Sequence, residues 1–319
     1  MFTKRVHPSI YRIDAPFEGG GTVYLYLVKG DRVALVDSGT VGVAQKVLPA
    51  ALAEIELTLS DVDILLNTHG HLDHAGGNRI VKQASGATIY IHPADEPMAC
   101  NLENEIDFHC KPLVALEFPR SVVEQRREFV SIGAGAAKAD IDMRLTDGEV
   151  VDLGKGVELR AVHVPGHTPG QLVYYWDSEG VLLTGDAIQG QGFRPGGFPY
   201  YFDAANYRNS LSKMLELDLR MLGLGHAFIG GSPINDPTRL GDECRTLIQE
   251  SIRVSDAISA AVEQAVQRLP GASKREIALA ALDELLYSVP QLRVRETGMP
   301  GSGGPTVLAH IEAVLDNGC

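Results

Sequence analysis

The order of apolar and polar residues splits the chain into a strand-rich first part and a helical end. The first forty residues read as strands. Thr22 to Lys29 (TVYLYLVK) and Arg32 to Val36 (RVALV) are rich in β-branched and aromatic side chains, and Gly30-Asp31 between them is a two-residue hairpin turn. Val43 to Leu57 is apolar with helical spacing, and Pro49 inside it predicts a kink. Asp63 to Asn67 (DILLN) is a short apolar run of the kind covered on both faces of a sheet. Asn78 to Gln83 continues as a helix and Ala87 to Ile91 as another strand, an alternation that predicts a layered α/β architecture.

From about residue 94 to 140 helix formers with several Pro and Gly replace that alternation, which predicts a helical insertion. Strands resume at Val150, Val157 to Val164, Leu172 to Trp176 and Val181 to Leu183, and a loop rich in Gly, Pro and aromatics, Gln189 to Tyr201, precedes a helix near Ala205 to Leu217. After Gly231 no strand signal remains. Residues 239–268 read as a long amphipathic helix ended by Gly271, Ser273 and Glu276 form a capping box opening a helix over Arg275 to Leu286, and Val307 to Leu315 is a last helix beyond a Gly-rich link. The expected organisation is a core over 1–238, with the insertion at about 94–140, and a helical region over 239–319. The apolar faces of that region must cover either the core or a partner in a homodimer.

Composition narrows the function. Of 319 residues, 45% are hydrophobic and 22% charged, the balance of a folded globular chain. With 28 basic and 41 acidic residues the net charge is −13 and no basic stripe is visible, so nucleic acid is not an expected partner. No apolar run reaches 18 residues, so no membrane span is expected. The start lacks the apolar stretch of a signal peptide and the four cysteines form no Cys-x-x-Cys pair, which together predict a reduced, cytoplasmic protein.

The candidate chemistry begins at His69-Gly-His71-Leu-Asp73-His74, directly after the strand ending at Asn67. Side chains at 69 and 71 can converge on one ion, and those at 73 and 74 can serve a second; imidazole and carboxylate are the donors expected for Zn²⁺. Three further segments place a ligand-type residue beside glycine at a strand end: Gly166-His167, Gly185-Asp186 and Gly225-His226. Glycine lets the backbone turn and approach closely there. Sites in layered α/β proteins form at the carboxyl ends of strands, so seven candidate ligands from four strand ends point to one shared site.

These motifs resemble the signature of the metallo-β-lactamase superfamily, His-x-His-x-Asp-His followed by Gly-His, Gly-Asp and Gly-His, and cover residues 1 to about 231. The resemblance implies an αββα sandwich with a dinuclear site at one edge. It implies that His69, His71 and His167 hold a first metal, that Asp73, His74 and His226 hold a second, and that Asp186 bridges them. Two zinc ions are the expected cofactors, although Fe or Mn suit the same ligands. Such a pair would lower the pKa of a bridging water toward neutrality and so supply hydroxide to a carbonyl, with Asp73 also orienting the nucleophile as a catalytic group.

Other residues take lesser parts. Asp37 resembles the family's aspartate that hydrogen-bonds a ligand histidine. His163 is expected as a strand residue, not a ligand, and His7, His92, His109 and His310 as structural or surface residues. Substrate contacts are expected from the insertion and from Phe193, Arg194, Phe198, Tyr200 and Tyr201, which either wall a pocket or pack their own loop; Arg120, Arg126 and Arg127 offer counter-charge to an anionic group. The expected reaction is hydrolysis of a small acyl compound, a thioester first and a lactone second. The alternatives are a β-lactamase-type amide hydrolase and a regulatory protein of the same fold with a vestigial metal site.

Overall fold

Alternation along the strands decides the layering. The structure, a computed structural model, describes residues 1–18, 21–136, 138–193, 197–231, 236–288 and 303–317. One sheet runs in chain order: β1 (Thr3–His7), β2 (Ile10–Phe17), β3 (Gly21–Lys29), β4 (Val33–Val36), β5 (Ile64–Leu66), β6 (Thr88–Ile91) and β7 (Met143–Arg144). The second holds β8 (Val150–Asp152), β9 (Glu158–His163), β10 (Leu172–Trp176), β11 (Val181–Gly185), β12 (Met221–Leu224) and β13 (Thr238–Leu240), in the spatial order β13-β12-β11-β10-β9-β8. Strands β4 to β7 are parallel, as are β11 and β12, and their carboxyl ends share one edge of the sandwich.

Successive side chains point to opposite faces of a strand. Tyr26 and Val28 of β3 pack between the sheets with Tyr174 and Leu183, whereas Leu25 and Leu27 face outward. The outer face of the first sheet is covered by α1 (Leu48–Ala53), by the short α2 (Leu72–Ala75) near its edge and by α3 (Asn78–Ser85). A turn of π-helix over Val43–Val47 runs without a break into α1, with Leu48 N–H reaching back to the Val43 carbonyl, and the widened turn accommodates Pro49. The insertion is α4 (Glu96–Cys100), α5 (Leu102–Ala115) and α6 (Arg120–Ala134), anchored through Ile106, Cys110 and Val130 onto Leu72. Helix α7 (Ala204–Leu215) and the first half of α8 (Asp242–Arg268) cover the second sheet, and α9 (Lys274–Ser288) and α10 (Gly304–Asn317) pack against the rest of α8. The order of layers is therefore α/β/β/α, with a helical insertion and a helical C-terminal region. Among the described residues no helix is long and apolar enough to cross a membrane.

Two short strands depart from the sequence reading. β7 pairs with β6 in parallel and β13 pairs with β12 antiparallel, so the second sheet runs to Leu240, across the boundary expected at 238. Neither is long enough to show a period of two; both form because a neighbouring strand offers free backbone groups. The Gly298–Gly304 link lies mostly outside the described residues. The C-terminal helices bury their apolar faces on this chain's own core, through Leu247 and Ile248 on the second sheet.

Candidate metal centre

Each ligand-type residue follows a strand end by one to eight positions, and the two sheets are stitched together at that edge. Tyr24 N–H donates to the Gly225 carbonyl and Leu172 N–H to the Thr68 carbonyl, both at 2.8 Å. Gly225 lets the backbone pass close to the site: a Cβ there would run into the Asp186 carboxylate and the His74 ring. Gly185 has φ +50°, a left-handed turn that aims Asp186 into the cluster.

All seven residues are brought together. His69 Nε2, His71 Nδ1 and His167 Nε2 lie 2.9–3.1 Å from one another. A tetrahedral ion with nitrogen ligands at about 2.0–2.1 Å separates them by about 3.3 Å, so the triad fits a cation with little adjustment. Asp73, His74 and His226 form a second donor group, and His69, His74 and Asp186 a third between the two. His226 Nε2 is 3.2 Å from Asp73 Oδ2 and 3.5 Å from Asp186 Oδ2. His74 Nε2 faces Asp186 Oδ1 at 3.5 Å, too far for a good hydrogen bond, and both atoms are buried without a closer partner. Converging, poorly paired buried donors are what a metal site needs and what a purely structural cluster avoids.

Electrostatics distinguish the two halves. Burial, reinforced by neighbouring imidazoles, holds His69 and His71 well below the ordinary histidine pKa, so they are neutral and present lone pairs. Burial also lowers His167, against the pull of Asp186. For His74 and His226 burial is outweighed by Asp186 and its neighbouring carboxylates, and both are raised. Asp73 and Asp186 are lowered in turn: burial opposes their charge, but the adjacent histidines prevail.

The outer nitrogens are fixed by the fold. Asp37, expected from its motif, lies 2.8 Å from His74 Nδ1 through Oδ2 and accepts from Thr68 N–H and hydroxyl; it adopts φ +64°, a conformation Asp tolerates better than most residues. His226 Nδ1 donates to Thr22 O at 2.7 Å and His167 Nδ1 to Tyr200 O at 2.6 Å. A buried aspartate that sequence reasoning missed, Asp95, accepts from Gly70 N–H, Gly170 N–H and the Thr168 hydroxyl, tying the His71 loop to the His167 loop. Burial pushes its carboxyl up to about 6 in spite of these donors.

A cavity of about 440 Å³ opens above the cluster. Its floor is His71, Asp73, Asp186 and His226, and its roof comes from α5 and α6 and from the loop after β11. Phe193, Phe198 and Tyr200 line it. Tyr201 does not: it is fully buried, stacked on Tyr207 at 3.9 Å and hydrogen-bonded to His310, because α7 and α10 hold it from behind. Arg194 lies outside the described residues. His163 is no part of the cluster; its ring donates to Pro169 O and stacks on His92. His109, expected as structural or surface, is buried in the cavity wall with Nδ1 2.8 Å from the Tyr200 hydroxyl.

Comparison with known proteins agrees with this geometry. Residues 17–226 match the model of the metallo-beta-lactamase superfamily. The chain is 25% identical over 285 residues to the "Probable metallo-hydrolase YqjP" of Bacillus subtilis, covering 84% of this chain and 86% of that one. It is 29% identical over 172 residues to the hydroxyacylglutathione hydrolase GloC of Haemophilus influenzae, covering 52% and 66%. A metallo-beta-lactamase family protein from Thermus thermophilus superposes with a TM-score of 0.70 at 24% identity over 98% of this chain and 95% of that one, which shows the shared fold. The family match covers β3 to β12 and every one of the seven clustered residues, and the chain belongs to the metallo-beta-lactamase superfamily.

Proposed function

We propose that this superfamily hydrolase is dinuclear and cleaves the acyl bond of a small compound, thioesters first and lactones second. His69, His71 and His167 would hold one ion, Asp73, His74 and His226 the other, and Asp186 would stand between them; zinc suits this donor set best. When bound, such ions supply Lewis acidity toward a carbonyl and a nucleophile at neutral pH. The observation that carries the reading is the convergence of three donor groups at the bottom of a largely apolar cavity.

The chain's own residues do the rest. Asp73, more open to the cavity than Asp186, stays ionised and accepts a hydrogen bond that orients the attacking water. Leu113, Phe129 and Phe198 exclude solvent from the acyl group and favour an apolar substrate body. Among the described residues the floor holds no acid apart from the ligand-type residues themselves, which favours thioesters over amides. Support for thioesters also comes from two relatives named hydroxyacylglutathione hydrolase, since an acylglutathione is a thioester.

The test is metal analysis followed by kcat/KM on an acyl thioester, a homoserine lactone, an aryl ester, a cephalosporin and a phosphodiester. Close to two metal ions per chain and the highest value on the thioester or lactone are expected. Preference for the cephalosporin or phosphodiester overturns the substrate class, and a chain that takes up no metal overturns the hydrolytic mechanism.

A further inference from the structure

The three arginines of α6 are used differently. Arg120 donates to Glu124 and Arg127 to Glu103, both at the surface. Arg126 has no carboxylate within ion-pair distance among the described residues; it turns into the cavity, with its guanidinium carbon 5.8 Å from the centre of the Tyr200 ring and 5.9 Å from that of Phe129. Aromatic faces attract the charge but accept none of its in-plane hydrogen bonds.

His109 gives a second, independent sign. The residue is 3% exposed, and its Nε2 is buried without a partner while the residue lines the same cavity. In the tautomer whose Nδ1 accepts from the Tyr200 hydroxyl, Nε2 carries the hydrogen and is a donor with no acceptor among the described residues. Leaving such a donor unmade is costly unless a ligand completes it.

We propose that Arg126 and His109 form a carboxylate-recognising subsite, so that the substrate carries a carboxylate joined by an apolar spacer to the carbonyl that reacts. This rests on the acyl-hydrolase reading of the floor. The subsite adjoins the ligand cluster: the His109 ring centre is 4.5 Å from that of His71, and Tyr200 lies 6.3 Å from His71 and 5.8 Å from the guanidinium carbon. These distances limit the spacer to roughly six carbons, and the four of an adipoyl group fall within that reach. Leu113 and Val122 give that spacer an apolar wall.

The test compares the adipoyl and heptanoyl thioesters of N-acetylcysteamine, which differ in the terminal carboxylate, and a heptanoyl thioester of 3-mercaptopropionate, which carries it on the thiol side. The adipoyl thioester is expected to have a kcat/KM roughly ten- to a hundredfold above the heptanoyl one, chiefly through KM. Arg126→Met should bring that ratio to about one and His109→Phe should lower it a few-fold, while Arg120→Met keeps it. A preference confined to the 3-mercaptopropionate thioester keeps the subsite and moves the carboxylate to the leaving group. No preference in either arm, or a ratio that Arg126→Met leaves intact, overturns the proposal. Calorimetry of adipate with the metal-loaded protein and with its Arg126→Met variant separates the two readings. If no thioester turns over but adipate binds more tightly to the parent than to the variant, the acyl reading fails and the subsite stands; equal binding to the two proteins overturns the subsite.

Discussion

In the floor of the cavity, four of the five histidines have their outer nitrogen tied to the fold: His69 to Thr68, His74 to Asp37, His167 to the Tyr200 carbonyl and His226 to the Thr22 carbonyl. In the roof, Arg126 is held by two ring faces and His109 by one hydroxyl. The difference follows from what each must hold. A small ion tolerates little error in donor position, so the floor is built from backbone carbonyls and a buried carboxylate at strand ends. A substrate tail tolerates more, and the roof sits on two helices whose side chains can change without disturbing the sheets. Floor substitutions should therefore cost metal and all activities together, and roof substitutions should redistribute activity among substrates.

Four changes probe that contrast, from the largest effect to the smallest. Asp186→Ala removes the carboxylate that faces both His167 and His226, and should lower both metal content and turnover by more than about a hundredfold, beyond the range for residues that only support ligands. Asp95→Ala leaves every ligand-type residue in place but unties the two histidine loops. It should cost about ten- to a hundredfold in metal affinity, read by competition with a chelator, with kcat/KM falling in parallel on all substrates. Thr306→Val removes a hydroxyl that accepts from Tyr201 N–H and donates to Pro199 O. About 1 kcal/mol of stability should be lost, seen as a lower Tm, with KM rising a few-fold because Tyr200 sits between the two anchored residues. His163→Ala should leave activity within about twofold and metal content unchanged, since its ring hydrogen-bonds the Pro169 carbonyl and stacks on His92, away from the seven clustered residues. If His163→Ala were more damaging than Asp95→Ala, the assignment of the loop after β9 would be wrong.

The floor was legible in the sequence because its chemistry is local. Four ligand-type residues fall within six positions, and the other three each stand beside a glycine at a strand end, so motif and architecture agree before any contact is known. Asp37 was legible for the same reason. The roof was not. His109 and Tyr200 are 91 positions apart and nothing near His109 marks it; only the packing of α5 over the loop after β11 joins them. Asp95 reads as an ordinary loop aspartate, since its three donors come from two distant segments. Tyr201 was grouped with its aromatic neighbours, yet in an irregular loop adjacent side chains can face opposite ways, and this one points to His310. The strands β7 and β13 escaped because two or three residues carry no periodicity.

The hold on Tyr200 also has a consequence in time. Thr306 grips the backbone on both sides of Tyr200, whose carbonyl in turn fixes the His167 ring. At about 5–20 residues per second, the ribosome adds Thr306 on the order of ten seconds after Tyr200. In the later part of that interval, once His226 and β13 have been added, the newborn chain contains both sheets and all seven donors, but its loop after β11 lacks the clamp. Accurate aim of His167 is thus coupled to synthesis of a helix more than a hundred residues downstream, and a chain stalled before α10 would display the metal motif without the geometry that makes it selective.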